Sequence, residues 1–212
     1  MARRKAEHER HAWEQATLEW QHEHDELAGW LAIARHGDVV ATEIPGFIAQ
    51  PGENGLVYVP GASLIEVRRG PSQWQGGSRG MSFRVAKGVT YRVGATRGHV
   101  IPGAEAPTAV DNGRLVITTK RAVFEGTKQT REWLWAKLIG YDHDPAQPIT
   151  RFQVSNRQKV SGVLYAAANA NNARFMIELA VAVSRGRMED LVARLEEELA
   201  QVDAARPAPP TG

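Results

Sequence analysis

The sequence predicts an α+β chain: a strand-rich antiparallel centre that starts at residue 62 and closes with a helix ending at 185, set between further helices at both ends. Three observations carry this. Gly113 to Tyr141, GRLVITTKRAVFEGTKQTREWLWAKLIGY, falls into four short apolar runs, with polar turns at Thr119-Lys120 and Thr127-Lys128-Gln129, which is the pattern of an antiparallel meander. Residues 3–35 lack proline and repeat apolar side chains every seven positions, as a packed helix does. Asn171 to Arg185 is so rich in apolar residues that a helix there must bury more than one side.

With 212 residues the chain is long enough for a full core, and 42% hydrophobic with 24% charged residues is an ordinary globular composition. The absence of cysteine excludes disulfides, zinc-thiolate sites and cysteine nucleophiles. MARRKAEHER has basic residues without an apolar run behind them, so it does not read as a signal peptide, and a cytoplasmic protein, at most peripheral at a membrane, is expected. The net charge of +2 conceals a division. Residues 62–165 hold 16 Lys and Arg against 7 Asp and Glu, a balance of +9, while the rest of the chain carries −7. Such asymmetry marks either a surface for an anionic partner or a basic centre on which acidic helices of the same chain dock.

In the N-terminal helix, Trp13, Trp20, Leu27 and Ala34 form the heptad stripe, supplemented by Ala16, Thr17, Trp30 and Leu31. Indoles in that number need cover from the sheet, the C-terminal helix or another copy of the chain. His8 and His11 alone among its histidines have helical ligand spacing, and they sit on a hydrophilic stretch that reads as a solvated face. Residues 37–61, with Pro45, Pro51 and Pro60, are expected to be a connection crossing the sheet surface, holding one short strand at Leu56 to Val59. Ala62 to Val67 is the next strand. Arg69 to Gly80 is expected to be a Gly-rich loop with Trp74 as a contact point; it lacks the Lys-Ser/Thr ending of a phosphate loop.

Met81 to Val85 and Thr90 to Val93 alternate as a hairpin with one core face and one basic face. Thr96 to Asn112 reads as a long irregular loop, ended by the turn signal Asp111-Asn112-Gly113. After the meander come strands at Ile149 to Val154 and Val163 to Ala167, then the Asn171 helix, in which Ile177 and Val181 are expected to face outward and require a second cover. Gly186 ends it. Arg187 to Asp203 carries Met188, Val192, Leu195, Leu199 and Val202 as a heptad seam, and residues 204–212 are expected to be disordered.

The Thr-x-Lys-Arg turn, the Phe-Glu-Gly strand end, the next polar turn and the apolar strand closing in Lys-Leu-Ile resemble the core of the bacterial pleckstrin-homology-like (PH-like) domains. The resemblance spans residues 62–185 and implies a small antiparallel barrel or sandwich capped by one C-terminal helix. It leaves the ligand open. If the strands alternate in direction, the turn at 119–121 and the turn at 156–159 fall at one end of that barrel, bringing Lys120 and Arg121 beside Arg157 and Lys159. Four cations at one rim suit a phosphate or an acidic segment.

No nucleophile elbow, dinucleotide fingerprint, Walker motif or zinc spacing is present, and no catalytic residue, metal or cofactor is expected. Asp142-His143-Asp144 is the one cluster with metal-binding or proton-sharing chemistry, and as alternating residues at a strand end only the two Asp share a face. Nucleic acid ranks below protein or lipid as a partner, because Trp133 and Trp135 lie in an apolar strand and read as core. The expected function is thus a non-catalytic binding or scaffold module that engages an acidic protein segment or an anionic membrane surface through its basic turns. The alternative is a self-assembling protein joined through helices 3–35 and 187–203.

Overall fold

The computed structural model describes residues 2–37, 41–86, 89–101 and 103–210, with the backbone alone for residues 2, 3, 5, 6 and 73–101. Helix α1 (Ala2–His36) precedes strands β1 (Gly55–Arg69), β2 (Gln73–Ala86), β3 (Val89–Ile101), β4 (Glu105–Thr118), β5 (Arg121–Gly126), β6 (Thr130–Leu134), β7 (Leu138–His143), β8 (Ile149–Val154) and β9 (Ser161–Leu164). Helices α2 (Ala170–Arg185) and α3 (Met188–Ala204) follow. Seven strands form one antiparallel sheet in the order β6-β5-β4-β1-β9-β8-β7, and β2 pairs with β3 in a sheet of their own.

The expected barrel is not closed. A 3₁₀ turn, Trp135–Lys137, carries the chain from β6 at one edge of the sheet to β7 at the other, and no ladder joins those edges. Instead the sheet curls. Trp133 of β6 lies 4.8 Å, centroid to centroid, from Phe152 of β8, and its Nε1 donates to Ser161 Oγ of β9 at 3.0 Å. Leu64, Leu115, Ile117, Phe124, Trp133, Phe152 and Val163 fill the concave side. Trp135 is buried as well and donates to the Thr118 carbonyl at 2.9 Å, so both strand tryptophans are core.

Helix α2 packs on two sides, as its composition requires, but the faces are reversed from expectation. Ala173, Ile177, Ala180 and Val181 join the sheet interior, while Phe175, Leu179 and Ala182 meet Leu27, Leu31 and Ala34 of α1 and Leu191 and Leu195 of α3. A curled sheet presents a wide apolar hollow, and the β-branched Ile177 and Val181 fill it. Trp30 stacks on Phe175 at 5.1 Å. The heptad stripe of α1 is therefore satisfied largely within the chain. Gly186 ends α2 at φ 63°, a left-handed conformation that glycine adopts without steric cost. Of the tail expected to be disordered, Arg206 and Pro207 lie against α1: Trp13 Nε1 donates to the Pro207 carbonyl at 3.3 Å, and the Arg206 guanidinium sits 5.0 Å over the Trp20 ring.

Residues 41–54 strap the outer face of the sheet, where Ile44 and Phe47 cover Val116 and Val123. This explains a run of four buried residues, Leu115 to Thr118, in a strand that would otherwise alternate. The two strands expected at 56–59 and 62–67 are one, bent at Gly61 (φ 67°), where the ladder to β4 shifts between Pro60 and Ala62. The irregular loop expected at 96–112 is strand for almost its whole length, as is Gln73 to Gly80. The expectation that the 81–93 hairpin has one core face rests on side chains outside the described residues, as does that for Trp74.

Candidate functional site

The basic rim does not assemble. Lys120 lies beside the Gly55 end of β1, where Thr119 N donates to the Asn54 carbonyl at 2.9 Å. Lys159 lies at the other end, 3.4 Å from Glu105, whose residue pairs with Arg69 across the β1–β4 ladder. The reason is the 3₁₀ turn after β6. Because it moves the chain to the opposite edge without reversing it, β6 and β7 run the same way along the sheet, and every later turn falls at the end opposite to that expected.

Most of these cations are also occupied. Lys120 Nζ donates to the Pro51 carbonyl at 2.5 Å. The Arg121 guanidinium donates from Nε to Glu53 Oε1 at 2.9 Å, from Nη2 to Glu53 Oε2 at 3.1 Å and from Nη1 to Glu132 Oε2 at 2.6 Å, and it lies 5.6 Å over the Phe47 ring. Its side chain is 12% exposed and that of Glu53 is 0% exposed. This is an internal pair that anchors the strap. Arg157 is half-buried beside Arg131; burial, and then that like charge, pull its pKa below the ordinary arginine value.

The Asp142-His143-Asp144 cluster is likewise structural. Both carboxylates face Arg151, whose guanidinium is 3.0 Å from Asp142 Oδ2 and from Asp144 Oδ2, so the two Asp do share a face. Asp144 Oδ1 also accepts from Ala146 N and Gln147 N, an Asx turn. His143 points the other way, its Nδ1 2.6 Å from Thr150 Oγ1 and its Nε2 3.4 Å from Glu178 Oε1 of α2. Glu178 in turn is paired with Arg194 of α3, which reaches Glu198 at 2.7 Å. Burial pushes the Glu178 carboxyl up, but His143 and Arg194 outweigh it and hold it below the usual range. A carboxylate kept ionised this way ties β7 to α2 and α3 and is a poor proton donor. These groups border a cleft of about 490 Å³ between the three helices, whose wall mixes Trp20 and Trp30 with Glu23 and Glu26. Among the described residues no group of three or more His, Asp or Glu is arranged to hold a metal ion.

Two structural carboxylates escape sequence reasoning. Glu53 sits in Pro51-Gly52-Glu53-Asn54, where the sequence signals only a turn. Asp111, read as part of a turn signal, instead caps the distant 127–129 turn. Its Oδ1 accepts from Asn112 N and Thr127 Oγ1, both at 2.9 Å, and its Oδ2 from Lys128 N at 2.9 Å and Gln129 N at 3.0 Å. Gly126 is required beside it, because a Cβ there would stand 2.1 Å from Asp111 Oδ2. Burial pushes the Asp111 carboxyl up, yet these four donors bring it down to about 2.

Glu53 is also lowered, burial being outweighed by Arg121, Gln50 N and Thr118. A depressed carboxyl stabilises the fold above the unfolded value near 4 and loses that contribution as pH falls through the folded value. Thermal melting should therefore hold steady from pH 7 to about 5 and fall progressively between about 4 and 2. A melting temperature unchanged down to pH 2 would contradict these assignments.

The surplus of positive charge falls on the extension of β1 and β4. Strand β9 pairs with β1 only from Ser63 to Glu66, and β5 pairs with β4 only from Gly113. Beyond those points β1 and β4 have only each other, with Arg68, Arg69 and residues 105–109 exposed, and the ladder resumes as β2 with β3. Residues 67–86 thus run alongside residues 89–101 and 103–107 as a two-stranded ribbon, the first side 20 residues and roughly 65 Å long at ~3.3 Å per residue. Residues 67–104 hold seven Lys and Arg and no Asp or Glu. Almost the whole +9 of the central region resides there.

Fold and surface together define an α+β protein of one curled antiparallel sheet, three helices and a basic β-ribbon. No family model matches the sequence, and comparison with curated proteins and with solved structures finds no similar one. Among the described residues no helix is long and apolar enough to cross a membrane.

Proposed function

We propose that the chain is a non-catalytic binding module, PH-like in plan, that attaches to an anionic partner through the ribbon of residues 67–107. The observation carrying this reading is where charge is cancelled and where it is not. On the sheet, Arg114 pairs with Glu125, Arg121 with Glu53 and Glu132, Arg131 with Glu66, and Arg151 with Asp142 and Asp144. On the ribbon Arg68 pairs with Glu66 and Arg69 with Glu105, but residues 70–104 hold five Lys and Arg and no Asp or Glu. A helix packed into the hollow of an antiparallel sheet that it follows in sequence supports the PH-like plan. Self-assembly through α1 and α3 has less support, since Leu27, Leu31, Leu191 and Leu195 are already buried within one chain.

Retention on a heparin column, a generic polyanion, tests the reading. Changing Arg79, Arg84, Arg92 and Arg97 together to Gln should bring elution to markedly lower salt, whereas Lys120→Gln with Lys159→Gln should leave it nearly unchanged. The opposite ranking would return the site to the turns and overturn the proposal.

A further inference from the structure

We propose that the anionic partner is double-stranded nucleic acid, with the ribbon lying lengthwise in a groove; this rests on the binding reading above. The ladder sets Arg84 opposite Thr90, Ser82 opposite Arg92, Gly80 opposite Gly94, Ser78 opposite Thr96 and Gly76 opposite Gly98. Alternation places these ten residues, all Gly, Ser, Thr or Arg, on one face, with Trp74 opposite Val100 next along it toward β1 and β4. Those are residue types that meet sugar and phosphate: arginine by charge-assisted pairs, hydroxyls by hydrogen bonds, and glycine by letting a backbone come close. The other face sets Met81 opposite Val93 and Phe83 opposite Tyr91, with Arg79 opposite Ala95 and Gly77 opposite Arg97 behind them.

Dimensions favour a duplex over the other anionic surfaces. A major groove about 12 Å wide admits a two-stranded ribbon along its length. Ser78 stands six residues behind Arg84, roughly 20 Å at ~3.3 Å per residue, so a bilayer touched by the end of the ribbon would leave Ser78 and Thr96 beyond its headgroups, whereas a groove follows that face along its length. A protein partner calls for a central apolar anchor, which the Gly-Ser-Thr-Arg face lacks. Finally, a two-stranded ribbon without a third strand or a helix beneath it is marginal in water, and a groove supplies the missing support.

Fluorescence anisotropy of a 30-base-pair duplex with the full chain tests this. If Arg84, Arg92 and Lys87 each neutralise one phosphate, the log–log salt slope is about −2.7, a loss of about 40-fold in affinity from 50 to 200 mM salt. Arg84→Gln with Arg92→Gln should reduce the slope by about 2, whereas Arg79→Gln with Arg97→Gln, on the opposite face, should change it by less than about 1. Circular dichroism of each variant confirms that the fold is kept. Binding to phosphatidylserine vesicles but not to the duplex, or duplex affinity that neither pair changes, overturns the inference. Retention on heparin without duplex binding would sink nucleic acid and leave the binding module standing; loss of both would sink the two together.

Discussion

Replacing Trp133 with alanine should cost about 4 kcal/mol, within the ~3–5 kcal/mol range for large aromatic truncations in a core. That is a large share of the ~5–15 kcal/mol by which domains of this size are stable. The side chain is fully buried, packs on Phe152 and donates to Ser161 Oγ, so the variant leaves a cavity and a buried hydroxyl without its donor. The site has a particular place in the fold. Trp133 is on β6 and touches β8 and β9, strands with which β6 shares no ladder. With no hydrogen bonds joining the edges, this contact is a principal agent of the sheet's curl. Urea denaturation at pH 7 measures the effect. Trp133→Phe should cost less than half as much, and equal losses for the two would mean the ring's bulk is not what holds the edges together.

Glu53→Ala should cost about 3 kcal/mol, the lower end of the ~3–5 kcal/mol found when one partner of a buried ion pair is removed. The lower end applies because Arg121 keeps Glu132, at 2.6 Å. Four hydrogen bonds converge on the Glu53 carboxylate, from Arg121 Nε and Nη2, Gln50 N and Thr118 Oγ1, and all are lost at once. Removing both charges should be milder than the single changes imply, since no charge is then stranded. A double-mutant cycle with Arg121→Met should give a coupling of about 1–3 kcal/mol, and additive losses would contradict the pairing. The strap 41–54 should also loosen, exposing Val116 and Val123.

Both results bear on how much of the fold could be read from the sequence. Periodicity places α1, α2, α3 and β8 within a residue or two of their bounds, because their apolar residues recur at the spacing of the element. It failed in three places for physical reasons. Ile177 and Val181 were assigned to the wrong side of α2, since composition says that two faces are buried and not which one meets the sheet. Residues 96–112 read as irregular because glycine and proline there signal turns, yet 96–101 pair with β2 and 105–112 with β1. The largest difference is directional: nothing in Trp135-Ala136-Lys137 announces a turn that crosses the sheet without reversing the chain, so simple alternation of the strands places Lys120, Arg121, Arg157 and Lys159 at one rim, where the structure sets Lys120 and Lys159 at opposite ends. The charge surplus, by contrast, was legible from the start. Only the ladder could reveal that it lies on an arm instead of on the seven-stranded sheet.

Hydrogen–deuterium exchange of the full chain, with and without saturating polyanion, tests the central claim most directly. Slowed exchange confined to residues 67–107, with the amides of 118–121, 155–160 and the helical cleft unchanged, is the predicted result. Protection at those turns or in the cleft, with the ribbon exchanging at its unliganded rate, would contradict it.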